Sequence, residues 1–356
     1  LLLAKTAYAL YWSFLIRKFS TSLQTKDEDV VTTLFVANTH TQLLFFTTDG
    51  MAYKLKTWRL PLGGRTAKGK AIVNILPIPV GVSIAAIMPV DVDEKEWDNL
   101  QIVFATSAGD IRRNALSDFT NVRSNGKIAM ALNEGIELVN ARIAGEEDDV
   151  MLFTDSGRAI RFSTTAVRVF KGRKSTGVRG IKLSGKDKVV SMSVIRHFIA
   201  TPDERSAYLK MRRAVSGLVD EEGISDEDDV NENATISPQR YAEMSASENL
   251  ILTITSGGAG KLSSSHDYPV RGRGGMGVAA MDKTMRGGTI VASFPVDLED
   301  QIMLATSNGQ SIRVPIEGIS FRSRSAGGVK VFDTKEKEEV VSVAWIADQA
   351  DEESHE

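Results

Sequence analysis

A short anchor recurs five times along the 356-residue chain, and no other feature narrows the choice of fold as far. It reads Thr47-Thr-Asp-Gly50, Thr106-Ser-Ala-Gly109, Thr154-Asp-Ser-Gly157, Thr255-Ser-Gly-Gly258 and Thr306-Ser-Asn-Gly309. Each copy follows an apolar run such as "LLFF", "IVFA", "VMLF", "LILTI" or "QIMLA", so each reads as a strand entering a tight turn. Four residues beyond the glycine stands a base, Lys54, Arg113, Arg161 or Arg313, with Lys261 one place early in the fourth copy.

A second element begins 12 to 15 residues after each anchor glycine, and it is basic and glycine-containing. The copies are "GRTAKGKAIVNI", "VRSNGKIAMAL", "GRKSTGVRGIKL", "VRGRGGMGVAAM" and "RSRSAGGVKVF". Each opens a strand, and most units then close with a further apolar strand such as "SIAAIMPV", "VVSMSVI", "TIVASFPV" or "VVSVAWI". Anchor glycines lie 59, 48, 101 and 51 residues apart. A period of about 50 with four strands per unit predicts an all-β, propeller-like disc of four-stranded blades. Five complete repeats are expected, preceded by an incomplete or replaced first blade. The long gap adds an insertion at about 200–249, expected to project from the disc, with helical text in "DERSAYLKMRRAVSGLVDEE".

The fourth basic loop contains a literal G-x-G-x-x-G at Gly272, Gly274 and Gly277. A dinucleotide site needs a helix directly after the glycines, to place its N-terminus on the pyrophosphate. Here the text runs on into a turn and a strand from Thr289, so the motif is read as one copy of the repeat.

Composition removes other chemistries. Cysteine is absent, and the four histidines (His40, His197, His266, His355) are never two to five residues apart, so thiolate sites and local zinc pairs are excluded. The net charge of −3 hides a segregation. Asp220 to Glu232 carries eight acids and no base, and Asp348 to Glu356 carries five. Without those thirteen acids the remainder is +10. A basic body with acidic appendages suits a polyanion partner. The candidate contacts are Arg65, Lys68 and Lys70; Arg123 and Lys127; Lys171, Arg173, Lys174 and Arg179; Arg271 and Arg273; Arg322, Arg324 and Lys330; and the anchor bases Arg113, Arg161, Lys261 and Arg313. The opening "LLLAKTAYALYWSFLI" is short for a spanning helix and has its basic flank at the wrong end for a signal peptide, so no membrane role is expected. The chain is read as starting inside a longer protein.

From Thr25 to about Ala347 the chain closely resembles the C-terminal domain of the DNA gyrase A subunit, of alphaproteobacterial type. The residues that carry this are "TKDEDVVTTLFVANTHTQLLFFTTDGMAYKLKTWRLP", "RRNALSDFTNVRSNGKIAM", "SSSHDYPVRGRGGMGV" and "GISFRSRSAGGVKVF". The resemblance implies a β-pinwheel over residues 25–347 that wraps double-stranded DNA on its basic perimeter. It also implies two partners in the bacterial cytoplasm, a gyrase B subunit, and the rest of a gyrase A subunit. ATP and magnesium would be used by the rest of the complex and no cofactor by this chain. Two departures stand out. The family's Q-R-R-G-G-K-G box is missing where residues 14–24 read "FLIRKFSTSLQ", leaving residues 1–24 atypical. The half that carries the cleavage tyrosine is also missing, so the chain is expected to be non-catalytic. Tyr241 in "QRYAEM" has none of the assembled neighbours a nucleophile needs and is read as a loop or short-helix residue. Two alternatives stay open: the C-terminal domain of a topoisomerase IV A subunit, and a propeller used for protein interaction.

Overall fold

Each anchor folds as a β-hairpin whose glycine takes a positive φ, +81° at Gly50 and +88° at Gly157, the backbone state that a tight turn requires and glycine adopts most easily. In this computed structural model, residues 37–62, 70–215, 234–282, 287–333 and 338–346 are described. In chain order the first unit supplies β1 (Gln42–Thr47), β2 (Met51–Lys56) and β3 (Ile84–Val90). The second supplies β4 (Gln101–Thr106), β5 (Asp110–Ala115), β6 (Lys127–Ile128) and β7 (Leu138–Ile143). The third has β8 (Asp148–Thr154), β9 (Arg158–Ser163), β10 (Val178–Arg179) and β11 (Val189–Arg196). The fourth has β12 (Leu250–Thr255), β13 (Ala259–Ser264), β14 (Val278–Ala279) and β15 (Ile290–Val296). The fifth has β16 (Gln301–Thr306), β17 (Ser311–Pro315), β18 (Val329–Lys330) and β19 (Val340–Ile346).

Among the described residues five sheets result, and their boundaries are not those of the sequence repeat. The orders are β3-β1-β2-β6, β7-β4-β5-β10, β11-β8-β9-β14, β15-β12-β13-β18 and β19-β16-β17. A unit therefore builds three strands of its own blade and hands its two-residue strand to the blade before it. The expectation that each unit closes its own four-stranded blade is corrected accordingly. The fifth sheet has three strands, because no repeat among the described residues supplies a fourth. The closing strands β3, β7, β11, β15 and β19 pack one on the next, so they lie innermost and the short strands lie at the rim.

Both faces of the central strands are buried, which is why they read as continuous apolar runs. Along β4, Ile102 and Phe104 join a core with Leu44 and Phe46 of the first sheet, while Val103 and Ala105 join one with Val150 and Leu152 of the third. Further cores join the third sheet to the fourth and the fourth to the fifth.

Among the described residues the insertion holds two helices, α1 (Pro202–Val215) and α2 (Pro238–Ala246). Thr201 and Glu204 cap α1 reciprocally, with Thr201 N–H donating to Glu204 Oε2 (2.8 Å) and Glu204 N–H to Thr201 Oγ1 (3.2 Å). Ser237 caps α2 ahead of Pro238, the signal by which sequence could have found this helix. In contrast to the expected projection, the pair packs back on the disc. Tyr208 and Met244 are fully buried, and His266 of the fourth unit donates through Nε2 to the Met244 carbonyl (2.8 Å). Arg212 pairs with Glu248 (3.1 Å) and stacks over Phe321. Tyr241 is a helix residue 5.1 Å from the Tyr208 ring. Residues 1–24, the acidic run at 220–232 and the tail at 348–356 lie outside the described residues.

Candidate nucleic-acid interface

The basic loops run from the end of each hairpin to the short rim strand of the preceding blade, and the structure divides their cations into two sets. Counted from the glycine before the rim strand (Gly177, Gly277, Gly328), the arginine four places back is Arg173, Arg273 or Arg324. Each turns onto the preceding unit. Arg273 donates to the carbonyls of Ala166 (2.9 Å) and Arg179 (3.0 Å). Arg324, only 1% exposed, donates to the carbonyls of Asp267 (2.9 Å) and Ala279 (2.9 Å), the matching positions one repeat on. Arg173 pairs with Asp118 (3.6 Å), again the matching position. These arginines staple successive loops together. Arg273 keeps an exposed side chain, Arg173 is half-buried and Arg324 is inside.

Four of the five anchor bases form a second inward set. Arg161 is 4% exposed, its Nε donating to Asp149 Oδ2 (2.8 Å) and its Nη1 to the Ser265 carbonyl of the following unit (2.8 Å). Burial pushes its pKa down, and the Asp149 carboxylate opposes that shift. Arg113 is 5% exposed, and burial pushes its pKa down as well. Lys54 reaches Glu94 (2.8 Å) and the Thr120 carbonyl of the following unit. Lys261, fully buried, donates to the carbonyls of Ser323 (2.8 Å), Arg324 (2.6 Å) and Ala326 (2.7 Å).

Arg113, Arg161, Lys261 and Arg324 were expected to meet a polyanion, and the structure corrects this, since a side chain closed inside the disc cannot reach a phosphate. Nor is Lys261 a displaced copy of Arg161. Parallel bridges link Arg113 to Val169, Arg161 to Val270 and Leu262 to Phe321, so Leu262 holds the fourth copy of that position. Lys261 pairs with Thr253 two places before its anchor threonine, as Arg112 pairs with Phe104 two before Thr106. Arg112, also fully buried, donates to the Ser175 carbonyl (2.6 Å), which matches Ala326. Sequence reading missed Arg112.

The remaining candidates face outward. Lys70, Arg123, Lys171, Lys174, Arg179, Arg271, Arg313 and Lys330 are exposed, and Arg322 is half-buried. Half-buried Lys127 donates to the carbonyls of Asp118 (2.6 Å) and Asn121 (3.0 Å). Arg179 and Lys330 sit on the rim strands, at positions taken by Ile128 and Ala279 in the other two. Arg65 and Lys68 lie outside the described residues. Exposed cations the loop pattern did not single out include Arg168, Lys182, Lys186 and Lys188 of the third unit. Such a set can neutralise phosphates at intervals without reading bases. Among the described residues no group of three or more His, Asp or Glu is placed to hold a metal ion. No described helix is long and apolar enough to cross a membrane.

Consecutive blades linked by donated rim strands, with exposed cations along the loops that supply them, define a β-propeller-class module with a basic perimeter. The model of the DNA gyrase C-terminal domain, a β-propeller family, matches residues 41–91, 101–144, 148–196, 249–297 and 300–344, and the chain belongs to that family. It is 45% identical to the DNA gyrase A subunit of Granulibacter bethesdensis over 89% of this chain and 35% of that protein. The corresponding protein of Rickettsia bellii is 40% identical over 94% of this chain and 37% of its own length. The chain thus spans about a third of these relatives. In fold it is similar to the C-terminal domain of DNA topoisomerase IV (TM-score 0.66, 20% identity, 92% of this chain and 87% of that one). It is also similar to a DNA gyrase A C-terminal domain (TM-score 0.62, 17% identity, 92% and 94%).

Proposed function

We propose that the chain is the DNA-binding and DNA-wrapping part of a gyrase-type topoisomerase. It works in the cytoplasm with a B subunit that uses ATP and magnesium, and with the rest of an A subunit. The chain itself performs no chemistry. The observation that carries this reading is that each rim strand is supplied by a basic loop, so outward cations recur around the perimeter at blade spacing. A duplex following that perimeter has its phosphates neutralised in register with the blades, and condensed counterions leave as it binds. The assembly partners and the cytoplasmic setting are supported by these relatives, which are gyrase A subunits.

The test is topology-resolved wrapping. The chain is incubated with nicked circular DNA, the nick is ligated and the linking-number shift is read over a salt series. A positive shift that fades with salt is the expected result. Binding without a shift would remove wrapping, and no binding at all would favour a protein-interaction role.

A further inference from the structure

The exposed charge is not shared evenly among the blades. Summed over the five matched segments, the formal charges of the units are +4, +1, +7, +2 and 0 in chain order. The third unit holds eleven bases against four acids. Three of those bases are used internally, Arg161 inside the disc, Arg173 against Asp118 and Arg158 on the Met276 and Gly277 carbonyls of the fourth unit (2.8 and 2.7 Å), and Arg196 pairs with Glu147. The others gather at the junction of the second and third blades.

Their arrangement crosses the rim. Arg168, Lys171 and Lys174 follow the 3-10 turn Thr164–Ala166, at the end of β9 away from its hairpin turn. Arg179 stands on the rim strand β10. Lys182, Lys186 and Lys188 lead to the opposite face, where Ser156 N–H of the hairpin turn donates to Asp187 (3.1 Å) and Asp155 N–H to the Lys188 carbonyl (2.9 Å). All seven side chains are exposed, and among the described residues none is held in an ion pair. A six-residue strand spans roughly 20 Å, more than the roughly 12 Å width of a DNA major groove, so cations on both faces and on the rim can meet both backbones of one duplex.

We propose that this transverse lane at the second-to-third blade junction is the principal seat for double-stranded DNA, with the other blades adding weaker contacts along the path. The inference rests on the DNA-binding reading and goes further by naming where binding is concentrated. The fifth unit, with no net charge and with Lys330 paired to Asp333 (2.5 Å), is the weakest part of the path.

The test compares two triple variants of the full chain, Lys174→Gln/Arg179→Gln/Lys186→Gln in the lane and Arg123→Gln/Arg271→Gln/Lys330→Gln elsewhere. All six residues are exposed, so both proteins should melt as the parent does. Anisotropy with a labelled duplex is read over a salt series. Loss of three phosphate contacts lowers the salt slope by about 2.7 and the affinity at 0.15 M salt by about a hundredfold. That loss is expected for the lane variant and a several-fold loss for the other. Equal losses, or a larger loss in the second variant, would overturn the lane while leaving the DNA-binding reading standing. If the parent chain does not bind the duplex, both fall together.

Discussion

Arg161 and Arg313 stand at the same place in the repeat and meet opposite environments. Arg161 lies under the loop of the fourth unit, clamped between Asp149 and the Ser265 carbonyl. Arg313 is exposed on β17, the strand at the edge of a sheet that has three strands among the described residues. Both hairpins read alike in sequence, so the difference lies outside them. A blade is finished by the next repeat, which brings the rim strand, the covering loop and the carbonyls that receive the buried cation. Stability should therefore be spread along the chain as a series of interfaces between neighbours, as in other repeat architectures.

The largest effect expected from that comparison is at Asp149. Asp149→Ala leaves the Arg161 guanidinium closed in without its carboxylate, and removing one partner of a buried ion pair costs about 3–5 kcal/mol. Urea unfolding of the variant should show the loss in midpoint, and a loss below about 1 kcal/mol would mean that the pair is open to solvent. Lys261→Met comes next. It deprives three loop carbonyls of their donor, at about 1–3 kcal/mol for each acceptor left unsatisfied, offset by the apolar stem that methionine retains. The net loss should be about 3 kcal/mol, with the fifth unit becoming more open to proteolysis than the first.

The glycines of the fourth loop give a smaller effect and show how much of the site was legible. The hairpins, the period and the basic loops could be read directly, because strand alternation, tight turns and charge are local properties. What could not be read is set by neighbours. The rim strand is too short to declare which sheet it joins. Side-chain direction in a strand has a period of two, so Lys261, one place before the Arg161 position in a hairpin of the same length and register, lies on the face of Arg112. Arg173 and Lys174 are adjacent in sequence, yet only the first turns inward, a choice fixed by Asp118 on the preceding unit. The three glycines divide in the same way. A Cβ on Gly272 would meet nothing within 4 Å. One on Gly277 would sit 2.3 Å from the Ala159 carbonyl oxygen, at a φ of +70°. Gly277→Ala should thus displace the rim strand β14 and cost about 2 kcal/mol, whereas Gly272→Ala should stay within about 0.5 kcal/mol. Thermal melts of the two variants decide it, and equal melting points would show that the rim strand is not closely held.

His266 shows the same dependence on a neighbour, here the insertion. Met244, Phe198 and Tyr208 enclose its ring, and burial pushes its pKa below the usual histidine range, with Arg161 and Arg205 acting in the same direction and Glu248 opposing. The unfolded chain takes up this proton near pH 6.5 while the folded chain still resists it, so the stabilisation is present above about pH 6.5 and is lost as the pH falls toward the folded value. The slope from this one group is at most about 1.4 kcal/mol per pH unit. His266→Gln should flatten the decline of the melting temperature between pH 7 and pH 5. An unchanged decline would mean that the ring is reached by solvent and that the insertion does not seal it.

The smallest effect is the one that tests the comparison itself. Arg313 is exposed, and an exposed cation contributes little whatever it touches, so Arg313→Ala should change stability by less than about 0.5 kcal/mol. The same replacement at Arg161, which takes the guanidinium from the buried Asp149 carboxylate and leaves it the His197 ring (2.8 Å), should cost several times more. A loss of about 2 kcal/mol or more at Arg313 would break the contrast, because it would mean that β17 is covered in solution as β9 is by the fourth unit. Hydrogen exchange at the β17 amides separates the two cases. Protection matching that of β9 goes with a covered edge, and rapid exchange goes with an open one.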